Sequence, residues 1–97
     1  MEIGEMNNKR KSNNEELYEI LTKIKDSNDA KEFLADLCTP GEITAMSQRL
    51  LAAKLLIEGC TYEQVIAVTD ISSATLSRVS KCVKQGKGYV KFLKKED

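Results

Sequence analysis

The strongest constraint on the fold is an almost uninterrupted apolar stretch near the middle of the chain. Between Leu50 and Ile57 only Lys54 is polar. A helix that is apolar on nearly all sides is normally buried on nearly all sides. The chain has 97 residues, which suits one domain but allows only a modest core. The simplest way to bury this helix is therefore an interface between two copies of the chain.

Capping signals delimit the central helix. Thr39 is a good N-cap, Pro40 suits the first helical position, and Glu42 completes a capping box. The helix then runs to Gly59, a residue typical of helix C-termini.

Apolar residues at helical spacing predict helices on both sides of the central one. Two precede it, one beginning at Asn13 as N-cap and one over residues 30–38. Three shorter helices follow it. Thr61 opens the first, in which Val65, Ile66 and Val68 are expected to point inward, and Ser72 opens the second, in which Leu76, Val79 and Val83 are. The third covers residues 89–93. No segment alternates as a strand does, so the predicted fold is all-α with five to six helices. The predicted domain covers residues 13–95, behind a disordered tail of residues 1–12.

Composition excludes several classes of function. The chain has no His, which removes His-based acid–base catalysis and most zinc sites. Cys38, Cys60 and Cys82 form no CxxC pair and are interpreted as small hydrophobes on helix faces. No nucleophile–base pair or phosphate loop is found, so we expect no enzyme. The absence of a membrane-length apolar run and of a signal sequence predicts a cytoplasmic protein without membrane contact.

Residues 61–82 have the pattern of a helix–turn–helix, the motif that places its second helix in the major groove of DNA. Asp70 occupies the turn position where Gly is commonest, and it tolerates a left-handed backbone better than most residues. Short side chains on the second helix permit close approach to base edges and phosphates. The predicted DNA contacts are Ser72, Ser73, Ala74, Thr75 and Ser77, near bases, and Arg78, Lys81 and Lys84, near phosphates.

The zero net charge of the chain conceals two oppositely charged parts. Residues 1–60 carry a net charge of −3 and residues 61–97 a net charge of +3. Between Ile71 and Lys95 there are seven basic residues and no acidic one. Phosphate binding requires a local basic patch of this kind rather than a basic chain.

Several short motifs resemble the tryptophan repressor superfamily, and within it the YerC/YecD branch. The resemblance covers about residues 15–93. The motifs are Asp-Leu-Cys-Thr at 36–39, Met-x-Gln-Arg at 46–49, Thr-Tyr at 61–62, Ser-x-Ala-Thr-x-Ser-Arg-Val ending at Val79, and Gly-Tyr at 88–89. The resemblance implies an intertwined homodimer whose paired recognition helices enter successive major grooves of an operator.

The same resemblance implies a corepressor pocket. In the tryptophan repressor the indole ring lies between two arginines, whose positions match Arg49 and Arg78, and two hydroxyl positions match Thr39 and Thr75. The repressor has Gly where this chain has Val79, and Ser where it has Cys82. The connection between Gly59 and Thr61 is also one residue shorter than the corresponding connection in the tryptophan repressor. These departures argue against tryptophan, although another small-molecule corepressor fits the prediction.

The sequence therefore predicts a homodimeric transcriptional regulator that binds a palindromic double-stranded DNA operator and acts as a repressor. Two-fold symmetry places the half-sites about one helical turn apart. The alternative is a helical dimeric adaptor whose Ser/Thr-rich helix contacts another protein without reading DNA.

Overall fold

The computed structural model describes residues 12–94, which form six α-helices and no strand. The all-α prediction is therefore confirmed for this range. The helices are α1 (Asn13–Leu21), α2 (Ser27–Leu37), α3 (Pro40–Ile57), α4 (Tyr62–Thr69), α5 (Ser73–Gln85) and α6 (Gly88–Leu93). The predicted disordered tail lies outside the described residues, except for Ser12.

The helices divide into two compact units. The first contains α1 and α2, and the second, from Cys38 onward, contains α3 to α6. A single domain over residues 13–95 stays a prediction. Within residues 12–94, no helix has the length and apolar content needed to cross a membrane.

Side-chain caps fix the starts of both helices of the first unit. The Ser12 hydroxyl accepts the Glu15 N–H at 3.1 Å, so Ser12, and not the predicted Asn13, is the N-cap of α1. Asp26 accepts the Asp29 N–H at 2.8 Å through its carboxylate. This contact starts α2 at Ser27, three residues before the apolar stripe that predicted it.

The predicted capping box at the start of α3 is present, whereas the C-cap is Glu58 and the predicted Gly59 follows it. Thr39 and Glu42 form a reciprocal capping box, with N–H to oxygen distances of 3.1 and 2.8 Å. At the other end, the N–H groups of Gly59 and Cys60 donate to carbonyls of the last turn, both at 3.0 Å. Gly59 has φ +97°, so α3 ends at Ile57 and the glycine makes the left-handed turn that follows.

The core of the second unit is small. Its buried apolar residues are Ala52, Ala53, Val65, Ile71, Leu76 and Val79. Within a single chain α3 is not buried on all sides, because only its two alanines are fully buried and Leu50 is 47% exposed. Its expected burial at an interface between two copies stays a prediction. Val68, expected to point inward, is 63% exposed. The apolar stretch therefore leaves Leu50 and Leu51 exposed on the single chain.

The three cysteines are free and half-buried. Only Cys82 lies within a helix. The prediction that all three cysteines lie on helix faces is therefore wrong for Cys38 and Cys60. Cys60 nevertheless packs against the core, as a small hydrophobe does.

Gly59→Ala should lower the free energy of unfolding by about 1–2 kcal/mol, because a left-handed residue with a side chain is strained. No atom lies within 4 Å of the position that an added Cβ would occupy, so the loss measures backbone strain rather than collision. The measurement is denaturant unfolding at a fixed protein concentration.

Gly41→Ala is the matched control, since Gly41 lies in the first turn of α3 and a Cβ there would approach nothing closer than 4.0 Å. It should stabilise the protein, because alanine favours helix by about 0.5–1 kcal/mol over glycine. Equal stability of both variants would contradict the role assigned to the left-handed turn.

Candidate nucleic-acid interface

Helices α4 and α5 are joined by a three-residue turn, residues 70–72, as the helix–turn–helix pattern predicts. Thr61 and Gln64 form the capping box that opens α4. Asp70 has φ 58° and ψ 24°, the left-handed conformation that its position in the turn requires. The Asp70 N–H donates to the Ile66 carbonyl at 2.9 Å and so closes α4.

Apolar contacts hold the two helices of the motif together. Val65 and Leu76 have no exposed surface, and Ile71 in the turn is 6% exposed. These residues pack in one cluster with Val79 and with the two buried alanines of α3. The motif thus packs on the central helix α3 through one face of α5, and the opposite face of α5 is exposed.

A second set of contacts at the turn is polar. The Thr69 hydroxyl donates to the Val65 carbonyl at 2.8 Å and accepts the Ile71 N–H at 3.3 Å. The Gln48 side-chain amide donates to the Thr69 carbonyl at 3.3 Å. The sequence analysis missed both residues, because a threonine at a helix end and a glutamine on a helix are common and carry no spacing signal.

The outward face of α5 consists of short polar side chains followed by basic ones. Val79, Ser80 and Leu76 lie on the buried side. Residues spaced by about one helical turn share a face, and the exposed set follows this spacing: Ser73, Ala74, Ser77, Arg78, Lys81 and Lys84. Six of the eight residues predicted from the sequence therefore lie together on one exposed face.

The two remaining predicted residues occupy the start of α5. Ser72 is its N-cap and accepts the Thr75 N–H at 3.2 Å. The two hydroxyl groups are also hydrogen-bonded to each other at 2.9 Å. Thr75 is half-buried, whereas a residue predicted to contact DNA was expected to be exposed. Because one O–H suffices for the bond between the hydroxyls, the other proton is available to an external acceptor.

Positive charge continues beyond α5. Lys87, Lys91 and Lys94 are exposed around α6, while the predicted Lys95 lies outside the described residues. No acidic residue occurs from Ser73 to Lys94. No carboxylate of α5 or α6 therefore repels phosphate groups that approach this surface.

The residues of the predicted corepressor pocket have distinct surroundings. The Thr39 hydroxyl caps α3, Arg49 is half-buried farther along α3, and Arg78 is exposed on α5. The Thr75 hydroxyl is engaged with Ser72. The pocket stays a prediction. Across residues 12–94, no group of three or more His, Cys, Asp or Glu side chains is arranged to hold a metal ion.

Comparison with known proteins agrees with this architecture. The model of the family described as Trp repressor protein matches residues 12–97. The uncharacterised protein YerC of Bacillus subtilis (strain 168) is 39% identical over 72 residues, which are 74% of this chain and 69% of YerC.

Two crystal structures share the fold. One is a candidate Trp repressor from Staphylococcus aureus, 32% identical with a TM-score of 0.79, covering 96% of this chain and 91% of that one. The other is a TrpR-like protein from Eubacterium eligens ATCC 27750, 34% identical with a TM-score of 0.76, covering 92% and 99%. The chain therefore belongs to the Trp repressor family, in its YerC-like branch.

Proposed function

We propose that the protein is a transcriptional regulator that binds double-stranded DNA as a homodimer, with α5 as the recognition helix in the major groove. The observation that carries this proposal is the outward face of α5. It combines short side chains at the start of the helix with Arg78, Lys81 and Lys84 farther along, and no carboxylate interrupts it.

Each part of this face has a distinct role in the proposal. Near the N-terminus of the helix, Ser73, Ala74 and Ser77 are small enough to let the helix enter the groove and contact base edges. The Thr75 hydroxyl donates to a base or phosphate acceptor. Arg78, Lys81 and Lys84 bind phosphates, which orients the helix and provides affinity that does not depend on sequence.

Dimerisation is supported by the apolar surface that the single chain leaves uncovered. A cavity of about 450 Å³ is lined by Leu50, Tyr89, Phe92 and Leu93, together with Cys82 and two glycines. Phe92 is 81% exposed. Contiguous apolar surface of this kind marks an interaction site, and we assign it to a second copy of the chain. Two-fold symmetry then presents two recognition helices to a palindromic operator.

Removal of Arg78 or Lys81 should weaken DNA binding in a way that depends on salt. For Arg78→Ala and for Lys81→Ala, the slope of log affinity against log salt concentration should become shallower by about 1, because each side chain neutralises one phosphate. The measurement is fluorescence anisotropy with a 30-base-pair duplex at several salt concentrations, a length we choose to span about three helical turns.

Lys31→Ala provides the charge-matched control, because Lys31 is an exposed lysine on α2, a helix rich in acidic residues. It should leave the slope unchanged. Wild-type protein that binds no duplex at low salt would contradict the proposal and would favour the adaptor hypothesis, as would binding that is indifferent to salt.

Phe92→Asp should shift the protein from dimer toward monomer, since it places a charge on the surface assigned to the second copy. Burial of a phenylalanine side chain contributes about 1.5–3 kcal/mol, so the dimer dissociation constant should rise at least tenfold. Sedimentation velocity over a range of protein concentrations measures this change.

Ala67→Asp introduces the same charge at an exposed position of α4 and should leave the dimer intact. A wild-type protein that sediments as a monomer at every concentration would refute the assignment of the apolar surface to a second copy.

A further inference from the structure

The turn of the helix–turn–helix motif contains a polar residue that is almost completely buried. Thr69, the last residue of α4, is 6% exposed. A buried hydroxyl is costly unless it is hydrogen-bonded. Here it is bonded on both sides of the turn, to the Val65 carbonyl before it and to the Ile71 N–H after it. The hydroxyl therefore links the end of α4 to the segment that leads into α5.

Gln48 connects this turn to the central helix. Its side-chain N–H donates to the Thr69 carbonyl at 3.3 Å, across a separation of 21 residues. Thr69 ends α4, so its carbonyl lacks a partner within the helix. Gln48 precedes the buried Ala52 by four residues and so lies on the same side of α3. Here the motif is attached to α3 by a hydrogen bond from the Gln48 amide, whereas elsewhere it is attached by apolar contacts.

The two kinds of contact constrain the motif differently. The apolar cluster of Val65, Leu76 and Val79 holds the helices together, but the hydrophobic effect has no direction. Hydrogen bonds weaken steeply when their angles deviate. The Gln48 bond therefore restricts the rotation and slide of the turn relative to α3, and the Thr69 hydroxyl bonds fix the turn on the end of α4. Ser72, three residues after Thr69, is the N-cap of α5.

We infer that Gln48 and Thr69 are positioning residues for DNA readout: they orient α5 on α3 so that its short side chains meet the base edges in register. This inference rests on the proposed function. Neither residue is part of the outward face of α5, and each acts through the backbone of the turn. Phosphate contacts tolerate a small misorientation of the helix, whereas base contacts do not, so the residues affect sequence discrimination more than total affinity.

The test compares affinities for two duplexes. One is a 30-base-pair sequence recovered by in vitro selection with the wild-type dimer, and the other is the same sequence shuffled. The measured quantity is the ratio of the two affinities, at a temperature at which circular dichroism shows each variant to be folded. A loss of stability reduces the active fraction equally for both duplexes and leaves the ratio unchanged. A misoriented helix lowers the ratio.

Gln48→Met keeps the side-chain length and removes the donor, and Thr69→Val keeps the shape and removes the hydroxyl. Each should lower the ratio roughly tenfold, the effect of losing one good base contact. Thr69→Ser restores the hydroxyl and should restore the ratio. Ser47→Ala, at the exposed neighbour of Gln48, should leave the ratio unchanged. If Thr69→Val does not fold, the comparison of Gln48→Met with Ser47→Ala carries the test.

The outcomes separate this inference from the function beneath it. A wild-type protein that binds neither duplex overturns the proposed function. A wild-type protein that prefers the selected duplex, with a ratio unchanged in Gln48→Met, overturns the positioning role alone. The positioning role is supported if the affinity ratio is lowered in Gln48→Met and equals the wild-type ratio in Thr69→Ser and Ser47→Ala.

Discussion

The packing of α4 and α5 against two adjacent alanines of the central helix is the interaction on which the rest of the structure depends. Ala52 and Ala53 have no exposed surface, and their small side chains let the other helices approach the α3 backbone closely. Val65, Leu76 and Val79 fill the space above them. Because this contact buries one side of α5, the opposite side is free to carry polar and basic residues. The candidate DNA-reading face is thus a consequence of how the core is built.

Acidic, apolar and basic side chains are concentrated in different segments of the chain. The charged side chains of residues 12–37 are seven acidic and three basic ones, whereas those of residues 73–94 are all basic. Between them, α3 carries both the alanines that pack the motif and the exposed Leu50 and Leu51. A single helix therefore supports the recognition motif on one side and offers apolar surface on another.

Local signals in the sequence predicted the helix boundaries well, because a cap is formed by residues three or four positions apart. Thr39, Thr61 and Ser72 cap the helices as expected, and Asp70 adopts the left-handed turn conformation. Periodicity also identified Leu76 and Val79 as buried. It failed for Val68, because α4 has apolar residues on more than one face and the sequence does not show which of these faces is buried. The contact between Gln48 and Thr69 could not be predicted, because it joins residues far apart in sequence by one side-chain hydrogen bond.

The central claim is that the outward face of α5 meets DNA, and residue-resolved NMR tests it most directly. Titration of a 30-base-pair duplex into ¹⁵N-labelled protein at low salt should shift the amide resonances of residues 72–84 most strongly. Smaller changes should occur around Lys87 and Lys91, and α1 and α2 should be nearly unaffected. Shifts confined to α1 and α2, or resonances that do not respond to the duplex at all, would contradict the account.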